Sequence, residues 1–139
     1  MRNTKIILTL IGILTLNSCW NNLGESELII GNYYVEWNDL VSNRAIVEKT
    51  EKDSPYSSGI ISGYVFAVGN NSDFIIAKQH PYLNNLTVTK YFIIDIKKRE
   101  SGINSSIIGP LEREDFNKKR IELNISDLKF DQNYSENPN

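Results

Sequence analysis

The chain carries three strand-length runs rich in β-branched and aromatic residues, and the connections between them are short. The runs are residues 60–68, 73–79 and 87–97. The first connection is Gly-Asn-Asn-Ser, residue types that tolerate the positive φ of a tight turn. The second connection has about seven residues, whereas a parallel crossover needs a dozen or more. The three strands are therefore predicted to pair consecutively, as an antiparallel meander.

Apolar residues fall on both faces of the first and third runs. Strict alternation in the first run places Tyr64, Phe66 and Val68 on one face and Val65 on the other. A strand that is apolar on both faces is typical of a sheet that is covered on both sides. Phe66, and Phe92 in the third run, are therefore predicted to be core residues.

Weaker patterns complete the fold prediction. They indicate a strand at 27–37, a second at 44–50, a short edge strand at 105–108 that ends at Gly-Pro, and a helix at 111–123. Acidic residues open that helix and basic residues close it, which suits the helix dipole. The sequence predicts a mostly β α+β fold, an antiparallel sheet of about five strands with the helix packed on one face. The single domain is expected over 28–130, and the polar residues 131–139 are expected to be disordered.

The N-terminus has the order of a secretory signal. A short basic start is followed by an apolar run at 6–16 and then by Leu-Asn-Ser-Cys ending at Cys19. The run is roughly half the length of about 20 residues that a membrane-spanning helix needs. The Leu-Asn-Ser-Cys sequence resembles the lipobox of bacterial lipoproteins, although Asn17 departs from the preferred residue before the small one. This resemblance implies a signal peptide at 1–18, lipidation of Cys19 with acyl chains such as palmitate, and a tether at 19–27.

Charge and location follow from that interpretation. Removal of residues 1–18 leaves 13 of the 15 basic residues against 17 acidic ones, so the mature chain is acidic. This balance argues against a nucleic-acid partner and against a polybasic membrane patch. The expected partner is the membrane itself, reached through the lipid anchor. The predicted location is the cell membrane or the outer membrane, facing the periplasm or the exterior.

Few side chains offer catalytic or metal chemistry. Cys19 is the single cysteine and His80 is the single histidine. A zinc site normally draws on several such ligands, so no metal and no cofactor are predicted. The sequence contains neither a Gly-x-Ser-x-Gly elbow nor a nucleotide-binding glycine pattern. The sequence therefore predicts a protein that is not an enzyme.

Two features of the sequence are candidate contact surfaces. The segment His80-Pro81-Tyr82 is predicted to be an exposed loop and a candidate contact for a protein partner that the sequence does not identify. Aromatic residues in the predicted strands either form the sheet core or an exposed platform for carbohydrate or peptide. These aromatic residues are Tyr33, Tyr34, Trp37, Tyr64, Phe66, Tyr91 and Phe92.

Four stretches together carry a wider resemblance. They are Tyr-Val-Glu-Trp at 34–37, Phe-Ile-Ile-Ala-Lys-Gln-His-Pro at 74–81, Tyr-Phe-Ile-Ile-Asp at 91–95, and Gly-Pro-Leu at 109–111 with Phe116 and Arg-Ile-Glu-Leu at 120–123. Over most of residues 28–125 the chain resembles a group of small bacterial lipoproteins that have no assigned activity. The resemblance implies a lipoprotein and transfers no catalytic residue.

The functional expectation is a membrane-anchored envelope lipoprotein that binds a partner without catalysis. One alternative is an immunity or inhibitor protein directed against an envelope-acting toxin or hydrolase, for which the negative charge is weak support. A small hydrolase is the third class, and the missing catalytic residues disfavour it. An interaction protein should expose an apolar patch, and a ligand binder should show a concave pocket.

Overall fold

The computed structural model describes residues 24–38, 40–51 and 54–136. The predicted signal peptide and Cys19 lie outside these residues. The elements are β1 (Glu25–Ile30), β2 (Tyr33–Trp37), β3 (Ala45–Lys49), β4 (Ser57–Ile61), β5 (Tyr64–Asn70), β6 (Phe74–His80), β7 (Lys90–Asp95), α1 (Ile96–Glu100), β8 (Ile107–Leu111), α2 (Arg113–Glu122) and β9 (Gln132–Asn133). Short 3₁₀ turns lie at Val41–Asn43 and Asn104–Ser106.

The strands form two antiparallel sheets. The first has the order β1-β2-β3-β4 and the second has the order β8-β7-β6-β5-β9. The mostly β class with a helix near the C-terminus is confirmed, and so is the consecutive antiparallel pairing of β5, β6 and β7. The four-stranded sheet is additional to the single sheet that the sequence predicted.

The extra sheet exists because two predicted strands each divide at a glycine. The predicted strand at 27–37 turns back at Gly31, which has φ 56°, and yields the β1–β2 hairpin. The predicted strand at 60–68 divides at Gly63, which has φ 90°. Glycine adopts positive φ without the Cβ clash that other residues suffer. At Gly63 the chain leaves the first sheet and enters the second.

The structure has three layers, which are the first sheet, the second sheet and the α2 helix. Two apolar clusters pack between them. Between the sheets, the buried residues are Ile29, Tyr33, Val35, Ile46, Ile61, Val65, Val68, Ile75, Ala77, Phe92, Ile94 and Ile96. On the other face of the second sheet they are Ile76, Ile93, Phe116 and Ile125. Phe116 anchors α2, so β6 and β7 are covered on both faces. The sequence predicted this for β7.

A β-bulge corrects the predicted faces of β5. Its pairing with β6 shifts between Val65 and Ala67, so one extra residue is accommodated in β5. The bulge brings Val65 and Val68 into the same core, against the strict alternation that the sequence suggested. Phe66 is nevertheless buried, as is Phe92, and their prediction as core residues is confirmed.

Residues 131–136 are ordered, so the prediction of a disordered tail is wrong for them. Gln132 and Asn133 pair with β5, and the backbone N–H of Tyr134 donates to the carbonyl of Phe66 at 2.9 Å. The half-buried Tyr134 ring packs edge-on against Trp37 of the first sheet, 5.8 Å between centroids. Backbone hydrogen bonds to the edge of β5 stabilise this polar segment. Amino-acid composition does not reveal such bonds, so the sequence suggested disorder. Residues 137–139 lie outside the described residues.

Two further boundaries differ from the prediction. The first strand begins at Glu25, inside the segment predicted to be a tether. Gly109 and Pro110 lie within β8 and do not end it. Because β8 is an edge strand, Pro110 breaks no ladder that the sheet needs.

Candidate functional site

The first sheet carries a groove on the face that points away from the second sheet. Its volume is about 450 Å³. Ala45, Val47 and Pro55 give the apolar lining. The polar lining comes from Glu25, Ser26, Glu36, Asn38, Asn43, Lys49 and Ser54, and Gly24 and Trp37 lie at one end. The ring of Trp37 itself packs on the inner face of the sheet, against Tyr134. We call this feature the outer groove.

Lys49 crosses the outer groove and organises its polar side. Its Nζ lies 3.0 Å from a carboxylate oxygen of Glu36 and donates to Ser26 Oγ at 3.1 Å. The same ammonium lies 4.4 Å from the ring centroid of Tyr34, a cation–π contact. The hydroxyl of Ser57 donates to the other carboxylate oxygen of Glu36 at 3.0 Å. The groove therefore presents a matched pair of opposite charges beside an apolar floor.

Strand alternation explains why these side chains meet. In β2, Val35 points into the core between the sheets, so its neighbour Glu36 points outward. In β3, Ile46 points inward, and Val47 and Lys49 share the outward face. At one end of the groove the side-chain amide of Asn43 donates to Asn38 at 3.0 Å, across the loop between β2 and β3. This geometry suits recognition of a ligand that has both apolar and polar parts.

A second cluster lies at the end of β6, around His80. His80 is only 3% exposed, so its prediction as an exposed loop residue is wrong. Its ring stacks on Phe66, with centroids 4.1 Å apart and planes 11° apart, and meets Tyr64 edge-on at 5.3 Å. The pairing of Tyr64 with His80 across β5 and β6 places the imidazole among these rings.

Both imidazole nitrogens of His80 face hydrogen-bond acceptors. Nδ1 lies 2.9 Å from the carbonyl oxygen of Val88, and Nε2 lies 3.1 Å from a carboxylate oxygen of Glu136. A neutral imidazole donates from one nitrogen only, whereas an imidazolium donates from both. A proton on either nitrogen therefore makes at least one of the two contacts a hydrogen bond. The hydroxyl of Tyr64 also donates to the backbone carbonyl of Glu136, at 2.5 Å.

Arg44 links this region to the first sheet from a buried position. Its Nη1 donates to the carbonyls of Val65 at 3.1 Å and Ser135 at 3.2 Å. The guanidinium carbon lies 4.7 Å from the ring centroid of Tyr134 and 5.4 Å from that of Trp37. Burial lowers the pKa of Arg44 from its usual value, and the nearby Tyr134, Tyr64 and Glu27 oppose that change. No sequence pattern pointed to Arg44, because its partners are backbone carbonyls distant in the chain.

The chain matches one known protein family. Residues 30–134 match the model of DUF3997, described as a protein of unknown function. The chain belongs to this family. Neither the curated proteins nor the solved structures gave a match.

In this member of the DUF3997 family, the three residues of the predicted contact segment, His80 to Tyr82, differ in solvent exposure. His80 is buried, Pro81 is half-buried and Tyr82 is exposed, followed by an exposed Leu83. Cys19, the predicted lipidation site, lies outside the described residues. Of the residues that line the outer groove, Trp37 was a candidate from the sequence, as one of the strand aromatic residues. Glu36 and Lys49 were not, although an outward charge on each of two adjacent strands is a readable signal.

The described residues contain neither a cluster of metal ligands nor a helix of membrane-spanning length. Within 24–38, 40–51 and 54–136, no three His, Cys, Asp or Glu side chains converge on a point where a metal ion would bind. In that part of the chain, no helix is long and apolar enough to cross a bilayer. The candidate site is the outer groove on the first sheet, and the His80 cluster is a separate buried polar centre at the end of β6 in the second sheet.

Proposed function

We propose that the protein is a lipid-anchored, non-catalytic binding module of the bacterial cell envelope, and that the outer groove is its ligand site. The observation that carries the proposal is the groove itself. At about 450 Å³ it falls within the range of roughly 300–1,000 Å³ that ligand pockets occupy. Apolar side chains and a few convergent polar groups line it together, which is the composition expected of a recognition site.

The pairing of the charges supports binding over catalysis. Glu36 and Lys49 neutralise each other, and hydroxyls of Ser26 and Ser57 satisfy their remaining positions. A general acid or base instead needs a proton that it can deliver to a substrate. A ligand with its own charged group can exchange partners with this pair, so the pair favours recognition of a polar ligand.

The anchoring part of the proposal rests on the order of features before the domain. A basic start, an apolar run and Leu-Asn-Ser-Cys precede Cys19, and the first strand begins at Glu25, soon after it. Lipidated proteins need more than one acyl chain for stable attachment. A diacylglyceryl group on the sulfur of Cys19 would supply two.

Acyl labelling tests the anchor. Cells that express the full chain are fed an alkyne fatty acid, and Cys19→Ala is compared with wild type. Loss of label and release from the membrane fraction are expected for Cys19→Ala. The matched control is Asn17→Ala, which restores a preferred residue and should keep or increase the label. A wild-type N-terminal peptide that carries no lipid by mass spectrometry would overturn the anchor.

Site-directed photocrosslinking tests the groove. A photoreactive amino acid replaces Asn43 in the outer groove or, as the control, the exposed Ile121 on α2. Crosslinking in cells should give a discrete adduct from position 43 alone. Ala45→Trp, which fills the groove, should abolish that adduct while the thermal melt is unchanged. The mass of the adduct separates a small ligand from a protein partner, as the immunity or inhibitor alternative requires. Equal adducts from both positions would refute the groove.

A further inference from the structure

The strands of the first sheet define one end of the molecule at the point where the chain enters it. Gly24 leads into β1, and Glu25 pairs with Trp37. Register then places Ala45 opposite Glu36 and Ile61 opposite Ile46. The start of β1, the end of β2, the start of β3 and the end of β4 therefore share this end, which we call the anchor end.

The second sheet has its own loop at the anchor end. Only Ser62 and Gly63 separate β4 from β5, so Tyr64 lies close to Ile61. Tyr64 pairs with His80, the last residue of β6. The connection from β6 to β7, residues 81–89, therefore emerges at the anchor end. The hydrogen bond between the backbone N–H of Val65 and the carbonyl of Arg44, 3.0 Å, joins the two sheets there.

The two loops at the anchor end expose large apolar side chains. Leu40, between β2 and β3, is 54% exposed, and Tyr82 and Leu83, between β6 and β7, are 57% and 69% exposed. The opposite end carries Tyr56, 78% exposed, and Ile103, 47% exposed. Exposed apolar side chains therefore occur at both ends and do not show which end faces the membrane. The position of the lipid attachment does.

The length of chain between Cys19 and the domain makes that decision. Gly24 follows Cys19 by five residues. A fully extended chain spans at most about 3.6 Å per residue, so the Cα atom of Gly24 lies within roughly 18 Å of the Cα atom of Cys19. The five- and six-residue strands of the first sheet are about 17–20 Å long. A lipidated Cys19 at the membrane surface therefore holds the anchor end close to the bilayer, whereas the opposite end is one strand length farther from the point of attachment.

We infer that the anchor end is a membrane-contact surface, with Leu40, Tyr82 and Leu83 at the boundary between the lipid headgroups and the acyl chains. This inference rests on the proposed lipid anchor. Tyrosine is favoured at that boundary because its ring is apolar and its hydroxyl remains hydrated. Glu25 and Glu136 are also exposed at this end. The contact is therefore apolar rather than electrostatic, and zwitterionic lipid is the matching surface.

The inference also orients the outer groove. Gly24, Trp37 and Asn38 line one end of the groove and belong to the anchor end. The groove therefore opens beside the membrane surface, and its ligand is one that is available there.

Site-directed spin labelling tests the surface. When the sulfur of Cys19 carries lipid, an introduced cysteine is the single free thiol of the chain. Leu83→Cys and Leu40→Cys label the anchor end, and Tyr56→Cys and Ile103→Cys are matched controls at the other end. The lipidated full chain is reconstituted into vesicles of phosphatidylcholine and phosphatidylethanolamine. Accessibility to oxygen, which concentrates in lipid, is then compared with accessibility to a water-soluble nickel chelate.

The expected result is an oxygen-to-nickel accessibility ratio several-fold higher at positions 40 and 83 than at 56 and 103. Equal ratios at both ends, or a higher ratio at the opposite end, would overturn the membrane-contact surface. Two positions are labelled at each end, and each variant must have the thermal melt of wild type. A change in accessibility then cannot come from one misfolded variant.

Mass spectrometry of the N-terminal peptide from the same sample separates the two proposals. An unlipidated peptide removes the anchor, and the membrane-contact surface with it. A lipidated peptide together with nickel-accessible labels at positions 40 and 83 removes only the membrane-contact surface and leaves the anchor intact.

Discussion

The imidazole Nε2 of His80 lies 3.1 Å from a carboxylate oxygen of Glu136, 56 positions further along the chain. This contact joins the end of β6 to the segment that follows β9. Since His80 is also stacked on Phe66, it couples the packing of the second sheet to the position of residues 131–136. The single histidine therefore has a structural role in the interior.

His80→Ala should destabilise the protein by about 2–3 kcal/mol, because the polar contacts of the ring and its aromatic stack are lost in a buried site. The measurement is the free energy of unfolding in urea. Tyr82→Ala, two positions away and exposed, is the control and should stay within about 0.5 kcal/mol of wild type. If both variants were equally stable, His80 would not hold the packed position described above.

Tyr134→Ala should also be strongly destabilising. The ring packs against Trp37 and covers the guanidinium of Arg44, so truncation removes a contact between the first sheet and the chain that follows β9. A loss of about 2–4 kcal/mol is expected, near the range for large-to-small core changes. Asn133→Ala, at an exposed neighbouring position, should change the thermal melt little. A harmless Tyr134→Ala would instead support the disordered tail that the sequence suggested.

Phe92→Ala and Phe66→Ala should each cost roughly 3–5 kcal/mol, because each leaves a cavity among buried side chains. That is a large part of the total stability of a small domain, about 5–15 kcal/mol. Ile121→Ala removes an exposed side chain from α2 and is the matched apolar control. Denaturant titration should separate the two phenylalanine variants clearly from the control, and similar midpoints for all three would contradict the assigned core.

Tyr33→Phe should change the alkaline behaviour of the protein. Burial, with the charge of Glu48, raises the pKa of Tyr33 to about 12. An unfolded tyrosine loses its proton near pH 10, so between about pH 10 and 12 the unfolded state binds fewer protons and the folded state loses stability as pH rises. The Tyr33→Phe variant lacks this loss, so its free energy of unfolding should fall less over that interval.

At neutral pH the same variant should be as stable as wild type or slightly more stable. Among the described residues the buried hydroxyl of Tyr33 finds no hydrogen-bond partner, so its removal leaves no group newly unsatisfied. Tyr82→Phe is the control, since its hydroxyl is on an exposed side chain. Identical alkaline unfolding of wild type and Tyr33→Phe would exclude this contribution.

Local sequence determined the parts of the fold that local contacts build. The β5–β6–β7 meander follows from apolar runs and short connections, and α2 follows from its charge order and from Phe116. Apolar residues on both faces of β7 correctly predicted a sheet that is covered on both sides. These features depend on residues close in the chain, so periodicity and turn composition suffice to find them.

Tertiary structure decided the features that depend on distant partners. Gly63 separates two strands that share one apolar pattern, and only the packing of two sheets shows that the chain changes sheet there. His80 is followed by Pro81, a loop signal, yet the rings of Phe66 and Tyr64 and the carboxylate of Glu136 enclose it. The outer groove likewise requires Ser26, Glu36 and Lys49 from three strands. A one-dimensional pattern fixes which residues are apolar or charged, but burial and pairing depend on which surfaces meet.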